Sequence, residues 1–226
     1  MPLPRVLNRL LFFATHKLGF WVFHLGWSYR CAGRDHLPRT GPALLVSNHQ
    51  SSLDPFLVGL CARRPLAYIA RHNLFENRLM AFGLREYRTM PIDRDMGKDG
   101  LQLVFDALAK GEAVTVFAEG QRTHDGALQP LKPGIALLAK RADVPIVPCA
   151  IVGAFEAWPR RRFLPRFAPL FLPKSPGCIA VVFGEAVPAG HYRSWTRAAI
   201  LEDLQARLAV AFAAAQKRQR RHGAAG

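Results

Sequence analysis

Apolar positions along this chain fall into short solid runs separated by stretches with helical spacing. The runs "ALLVS" (Ala43–Ser47), "AVTVF" (Ala113–Phe117) and "IVPCAIV" (Ile146–Val152) have the length and β-branched content of strands buried on both faces. Further strands are expected near 66–70, 87–92 and 178–183, each bounded by glycine, proline or polar residues. Helices are expected over 55–62, 73–82, 97–110, 134–141 and 195–216. Strand and helix in alternation predict an α/β fold with a central, largely parallel sheet and flanking helices.

The first 30 residues break that pattern. "LLFFATHKLGFWVFHLGW", residues 10–27, is dense in apolar and aromatic side chains but is interrupted by His16, Lys17 and His24. On a helix, Arg5, Arg9, His16, Lys17 and His24 share an arc of about 120°, with the aromatics mostly elsewhere. This pattern predicts an amphipathic helix lying in a membrane interface, since a spanning helix needs about 20 mostly uncharged residues. A signal peptide fits poorly, because charge breaks the apolar stretch and no small-residue cleavage site follows. The competing expectation is a helix packed on the protein's own core. Three segments result: a membrane-associating N-terminal segment over 1–32, an α/β domain over 33–216, and a basic tail, "KRQRRHGAAG", over 217–226, expected to be disordered. A proline- and arginine-rich loop is expected over 158–177.

Charge adds a partner class. With 31 Lys and Arg against 16 Asp and Glu, the chain has a net charge of +15 and requires something anionic to bind. No acidic residue occurs before Asp35, between Glu156 and Glu185, or after Asp203. Those gaps hold Arg5, Arg9, Lys17 and Arg30; then Arg160 to Arg162, Arg166 and Lys174; then Lys217, Arg218, Arg220 and Arg221. Nucleic acid, an anionic membrane and an acidic carrier protein all satisfy such a distribution. Cys31, Cys61, Cys149 and Cys178 are scattered, form no CxxC pair, and indicate a reducing compartment rather than a zinc site or disulfide framework.

The stretch "SNHQSSLDPF" (Ser47 to Phe56) carries the sharpest chemical signal. Residues five apart on one helix point about 140° away from each other, so His49 and Asp54 cannot meet if the whole stretch is helical. The apolar run before them ends a strand, and Pro55 suits the first turn of a helix. Asp54 is then expected to be the helix N-cap, held out of the α region by Pro55. Across the intervening turn His49 and Asp54 can fold back on each other. A second cluster, "VTVFAEGQRTHDG", runs an apolar strand into Glu119, Gly120 and Arg122. In open α/β folds, sites form at the carboxyl ends of strands, where both clusters fall. Gly120 is expected to let backbone approach a ligand, and Arg122 offers a planar fork for phosphate oxygens. Arg94 follows the strand in "YRTMPIDRD", and Gly134 opens a helix in "LKPGIALLAKRADVPIVP".

Taken in order, "NHQSSLD", "PIDR", "FAEGQRT" and "VPIVP" resemble the four sequence blocks of the glycerophospholipid acyltransferases, most of all the 1-acylglycerol-3-phosphate (lysophosphatidate) acyltransferases. "GRDHLP" and "LKPG" match too, and the resemblance covers roughly 33–152. Family members typically have proline where this chain has Ala118 and threonine where it has Gln121, departures that bear on acceptor preference. Where many relatives have a lysine, this chain has Arg71. The resemblance implies transfer of a fatty acyl group from acyl-CoA or acyl carrier protein to the free hydroxyl of a lysophospholipid at a membrane surface on the cytoplasmic side.

It also implies roles. His49 would be the general base and Asp54 its orienting carboxylate, as in a serine-hydrolase triad with the substrate hydroxyl in place of the serine. Arg94 and Arg122, with Arg71 behind them, would hold the acceptor phosphate. Glu119 would bind the acceptor glycerol or orient those arginines, and backbone N–H groups of "NHQSS" would stabilise the oxyanion. With no GxSxG elbow and no cysteine beside His49, direct transfer is expected rather than an acyl-enzyme. No metal or other cofactor is expected, since no HExxH-like spacing occurs. Other acceptors (glycerol-3-phosphate, a lyso-amino-lipid) stay open. A nucleic-acid-binding protein and a hydrolase or metal-dependent phosphoesterase are the alternatives from other classes; the first lacks aromatics interleaved with its basic residues.

Overall fold

A computed structural model describes residues 5–62, 64–71, 76, 89–92, 97–159, 164–171 and 177–219. In chain order these form α1 (Arg5–Trp27), β1 (Arg30–Ala32), β2 (Ala43–Ser47), α2 (Asp54–Cys61), β3 (Ala67–Arg71), β4 (Thr89–Ile92), α3 (Lys98–Ala109), β5 (Ala113–Phe117), α4 (Gly134–Arg141), β6 (Ile146–Val152), α5 (Ala154–Ala157), β7 (Ala180–Phe183) and α6 (Arg197–Arg218). The seven strands form one sheet in the order β1-β7-β6-β2-β5-β3-β4. Every pairing is parallel except β6 with β7.

The solid apolar runs follow from this architecture. β2 and β6 are buried at every position, because helices cover both faces of the sheet centre. Alternate residues supply opposite cores. Leu44 and Val46 face a layer with Val104 of α3, Leu138 of α4 and Leu204 and Leu208 of α6. Ala43 and Leu45 face the other layer, with Trp27, Tyr29, and Leu57 and Val58 of α2. Along α6, Ile200, Leu204, Leu208, Ala211 and Ala215 repeat every three or four residues and are buried. Each fully buried large aliphatic side chain in that stripe is worth about 1.5–3 kcal/mol.

Three expectations need correction. Arg30–Ala32, placed by sequence in the N-terminal segment, is the edge strand of the sheet, paired with Ala180–Val182. The tail expected to be disordered from 217 starts inside a helix, since Lys217 and Arg218 close α6. The histidines of α1, expected on an outward polar face, point inward. His16 Nε2 lies 3.1 Å from Gly59 O and 3.0 Å from Ala62 O, covering carbonyls at the end of α2, and His24 Nδ1 is 2.9 Å from Tyr29 O. The opposite face exposes Leu18, Trp21, Val22 and Leu25. Buried carbonyls need donors and a helix end supplies several, so polar side chains win the inner face. The helix expected over 73–82 and residues 87–88 lie outside the described residues.

Candidate active site

His49 and Glu119 occupy equivalent places on adjacent strands. Ser47 and Phe117 are the last residues of β2 and β5 and are paired in register, and each functional residue follows two positions later. Both exits are stitched together: Ala118 N–H donates to Ser47 O (2.8 Å), Thr123 N–H to His49 O (2.7 Å) and Lys132 N–H to Ala118 O (2.8 Å). The site thus sits at the carboxyl end of the central parallel strands.

Between β2 and α2 the chain makes the tight turn that the sequence implied. His49 Nδ1 lies 2.7 Å from Asp54 Oδ2, with the Asp54 side chain fully buried and that of His49 20 % exposed. The same Oδ2 accepts from Gln50 N–H (2.5 Å) and Ser51 N–H (2.9 Å). Asp54 is therefore not the helix N-cap expected from sequence. It is the first residue of α2, with Leu53 in the cap position, and its carboxylate reaches back into the turn instead of forward along the helix. An unprotonated carboxylate only accepts, so Nδ1 carries the proton and Nε2 presents its lone pair. Phe117 stacks on the imidazole at 4.1 Å between ring centroids and 18° between planes, fixing the ring from a second direction.

The same bonds take three of the N–H groups of the turn expected to stabilise the oxyanion. The N–H groups of Gln50 and Ser51 are taken by Asp54, and that of His49 by Glu119. Glu119 is 2 % exposed. Its Oε2 accepts from His49 N–H (3.1 Å) and its Oε1 from Gln129 N–H (2.9 Å). Burial raises the Glu119 carboxyl above its usual range, with the Gln129 and His49 N–H bonds pulling the other way. Its two oxygens therefore serve backbone, where sequence reading expected arginines or a glycerol.

Arg122 belongs to the site. Its Nη1 donates to Ser52 Oγ at 2.7 Å, bringing the guanidinium from the β5 loop to the turn between His49 and Asp54. Gly120 follows a different logic from the one expected. Its φ is +72°, and a Cβ there would come within 3.1 Å of Lys132 Cγ, so the left-handed turn and the lysine stem require glycine. Arg71 ends β3, which pairs with β5; its side chain, and all of Arg94, lie outside the described residues.

Sequence reading missed two amides inside its own motif. Asn48, fully buried, donates to Ile151 O (2.9 Å) and accepts from Ile151 N–H (2.8 Å), extending the β2–β6 pairing by side chain. Gln50 donates to Gly126 O (2.8 Å) and accepts from Ala154 N–H (3.1 Å), joining the turn to the β5 loop and to α5. The available signal was two amides following a solid apolar strand, where burial demands partners.

Comparison with known proteins places the chain in a family. The acyltransferase family model matches residues 28–152, more than half of the chain. The chain is 33 % identical over 150 residues to 1-acyl-sn-glycerol-3-phosphate acyltransferase alpha of Mus musculus, covering 64 % of this chain and 50 % of that one. It is 28 % identical over 177 residues to the 1-acyl-sn-glycerol-3-phosphate acyltransferase of Limnanthes douglasii, covering 75 % and 62 % respectively. The chain thus spans less than two thirds of the length of these curated relatives. A crystal structure of the 1-acyl-sn-glycerophosphate (LPA) acyltransferase PlsC from Thermotoga maritima has the same fold, with a TM-score of 0.75 at 19 % identity over 99 % of this chain and 86 % of that one. With its four blocks in order and inside the matched span, this chain belongs to the acyltransferase family.

Proposed function

We propose that this chain transfers a fatty acyl group from an acyl thioester, acyl-CoA or acyl carrier protein, to the free hydroxyl of a lysophospholipid. The acceptor that fits best is 1-acylglycerol-3-phosphate, giving phosphatidic acid; the named activity of the relatives supports this choice. The observation that carries the proposal is the His49–Asp54 pair, with Nδ1 tied to a buried carboxylate and Arg122 bonded to Ser52 in the same turn.

In this reaction Nε2 takes the acceptor's hydroxyl proton as the oxygen bonds to the thioester carbon. The tetrahedral intermediate then expels the thiolate, which takes the proton from Nε2, and the base is restored. Asp54 holds the tautomer and stabilises the transient imidazolium. Arg122 grips the acceptor phosphate, and the resemblance gives Arg94 and Arg71 a share in that role. Glu119 and Gly120 shape the loop that presents Arg122, and Glu119 positions His49 through its backbone. The chemistry calls for no metal and no cofactor beyond the acyl donor.

A long-chain lysolipid resides in a bilayer, so the catalytic end must meet one. No described helix is long and apolar enough to cross a membrane. The exposed face of α1 (Leu18, Trp21, Val22, Leu25) continues into Leu164, Phe167 and Phe171. Trp27 stacks on Phe167 at 4.7 Å, and Ala168 and Leu170 N–H donate to Gly26 and Leu25 O. This apolar face is the membrane-docking surface, lying on the bilayer at its cytoplasmic side with anionic lipids beneath its basic residues.

Purified protein given labelled acyl-CoA and a panel of acceptors tests the proposal: labelled phosphatidic acid is expected from 1-acylglycerol-3-phosphate. Product from glycerol-3-phosphate or a lyso-amino-lipid alone would reassign the acceptor, a second reading favoured by the Ala118 and Gln121 departures. No acylated product with any acceptor and either donor would end it.

A further inference from the structure

Two of the three stretches without acidic residues converge in space, away from His49. Arg30 and Arg34 come from the first, Lys217 and Arg218 from the last, and the four line one cleft of about 580 Å³ between α1, β1 and the end of α6. Phe20 forms its aromatic wall over the fully buried Tyr29, and no carboxylate lines it. Arg34 is held for ligation from two sides. Its Nη2 donates to Cys31 Sγ at 2.6 Å and its guanidinium lies over the Phe20 ring at 5.3 Å. Its Nε is buried without a hydrogen-bond partner. β1 is three strands from β2 in the sheet, a lateral offset of about 14 Å at the usual strand spacing, and neither His49 nor Asp54 lines the cleft.

Four cations gathered with no carboxylate among them, and only the Cys31 sulfur against Arg34, favour an added anion, and guanidinium forks match phosphate oxygens. Beside them are an aromatic wall and the apolar outer face of α1, which includes Trp21 and Leu25. We infer that this cleft is a second binding site, separate from the His49 centre, for a phosphate-monoester amphiphile: phosphate on the four cations, acyl chain along α1. The site retains an anionic lipid at the edge of the docking surface. It does not depend on the His49 chemistry.

Cys31 reports on occupancy. It lines the cleft, while Cys61, Cys149 and Cys178 are buried. The neighbouring Cys61 thiol and the Arg34 guanidinium lower the Cys31 thiol below its usual range, against the effect of burial, and Cys61 goes the other way. Cys31, the cleft-lining cysteine with its thiol lowered, is thus the one expected to react with iodoacetamide. The experiment follows Cys31 alkylation in the full chain by peptide mass spectrometry. Probes are dihexanoyl phosphatidic acid below its micelle concentration, uncharged dihexanoylglycerol, and inorganic phosphate.

Dihexanoyl phosphatidic acid at ten times its Kd should slow alkylation about tenfold by mass action, and Lys217→Gln/Arg218→Gln should lose most of that protection. Both replaced side chains are exposed at a helix end and leave the Arg34–Cys31 contact in place. No slowing overturns the inference, as does equal slowing by dihexanoylglycerol or by inorganic phosphate, or full protection in the double variant. Acyl transfer by that variant, assayed in detergent, stays at the parent level, so failure of the His49 chemistry shows separately.

Discussion

Asp54 Oδ2 gathers three N–H groups, from the His49 ring and from the backbone of Gln50 and Ser51, while Glu119 holds His49 by its own N–H. His49 is thus held at its ring by one carboxylate and at its backbone by another. Glu119→Gln leaves one acceptor where two N–H donors converge, so the turn shifts. We expect kcat to fall by as much as 10²-fold, the cost of about 1 Å of misplacement, with the acceptor KM little changed. Steady-state kinetics on the purified variant check this; a raised KM at constant kcat would mean that Glu119 contacts the acceptor instead. Arg122→Ala behaves the opposite way. It removes a phosphate handle, so the acceptor KM should rise at least tenfold, for the roughly 1.5–3 kcal/mol of a hydrogen bond to a charged group, while the acyl-donor KM stays. Equal rises for both substrates would refute a phosphate role. His49, Asp54 and Arg122 were legible in the sequence because their residue types carry chemistry. Asn48 and Gln50 were not, because their partners lie about a hundred positions away and pattern says nothing of such distances.

Among the elements, α1 best shows what pattern omits. A helical wheel finds two faces but not which one meets the protein, and here His16 turns inward to α2 and His24 to Tyr29 O while the leucines and Trp21 turn out. Leu18→Glu/Trp21→Glu should therefore leave folding intact and weaken vesicle binding. Burying each side chain is worth about 1.5–3 kcal/mol, so the pair accounts for roughly a hundredfold or more. Sedimentation with anionic vesicles, alongside thermal unfolding, tests this; unchanged partition at unchanged melting temperature would remove α1 from the docking surface. By contrast β2, β5, β6 and α4 fall on their expected residues, since strands buried on both faces and a glycine-initiated amphipathic helix leave unambiguous patterns. β1 and α5, three and four residues long, carry too few positions to show any period.

At the scale of the whole molecule, shape and charge act together. One sheet, covered on both faces, presents the His49 turn at the carboxyl ends of its central strands. The chain carries a surplus of +15 together with an apolar face built from α1 and the 164–171 segment. Each cation near an anionic bilayer adds about 1 kcal/mol, and salt screens it within a Debye length of about 10 Å at 0.1 M. Binding to vesicles containing phosphatidylglycerol should thus weaken steeply as salt rises, while the residual affinity for neutral vesicles should be nearly insensitive to salt. Vesicle titrations at two ionic strengths measure both; equal affinity for the two vesicle types would leave the charge without its assigned partner. The α/β class and parallel sheet followed from the alternation of elements, whereas the convergence of distant basic stretches on one cleft needed the fold.

The central claim is that the imidazole of His49, steered by Asp54, takes the proton from the acceptor hydroxyl. The direct measurement is kcat/KM of purified His49→Ala with an acyl thioester and 1-acylglycerol-3-phosphate, with circular dichroism showing the parent fold. The account predicts acyl transfer at the level of the uncatalysed reaction; a folded His49→Ala protein that forms phosphatidic acid at the parent rate would contradict it.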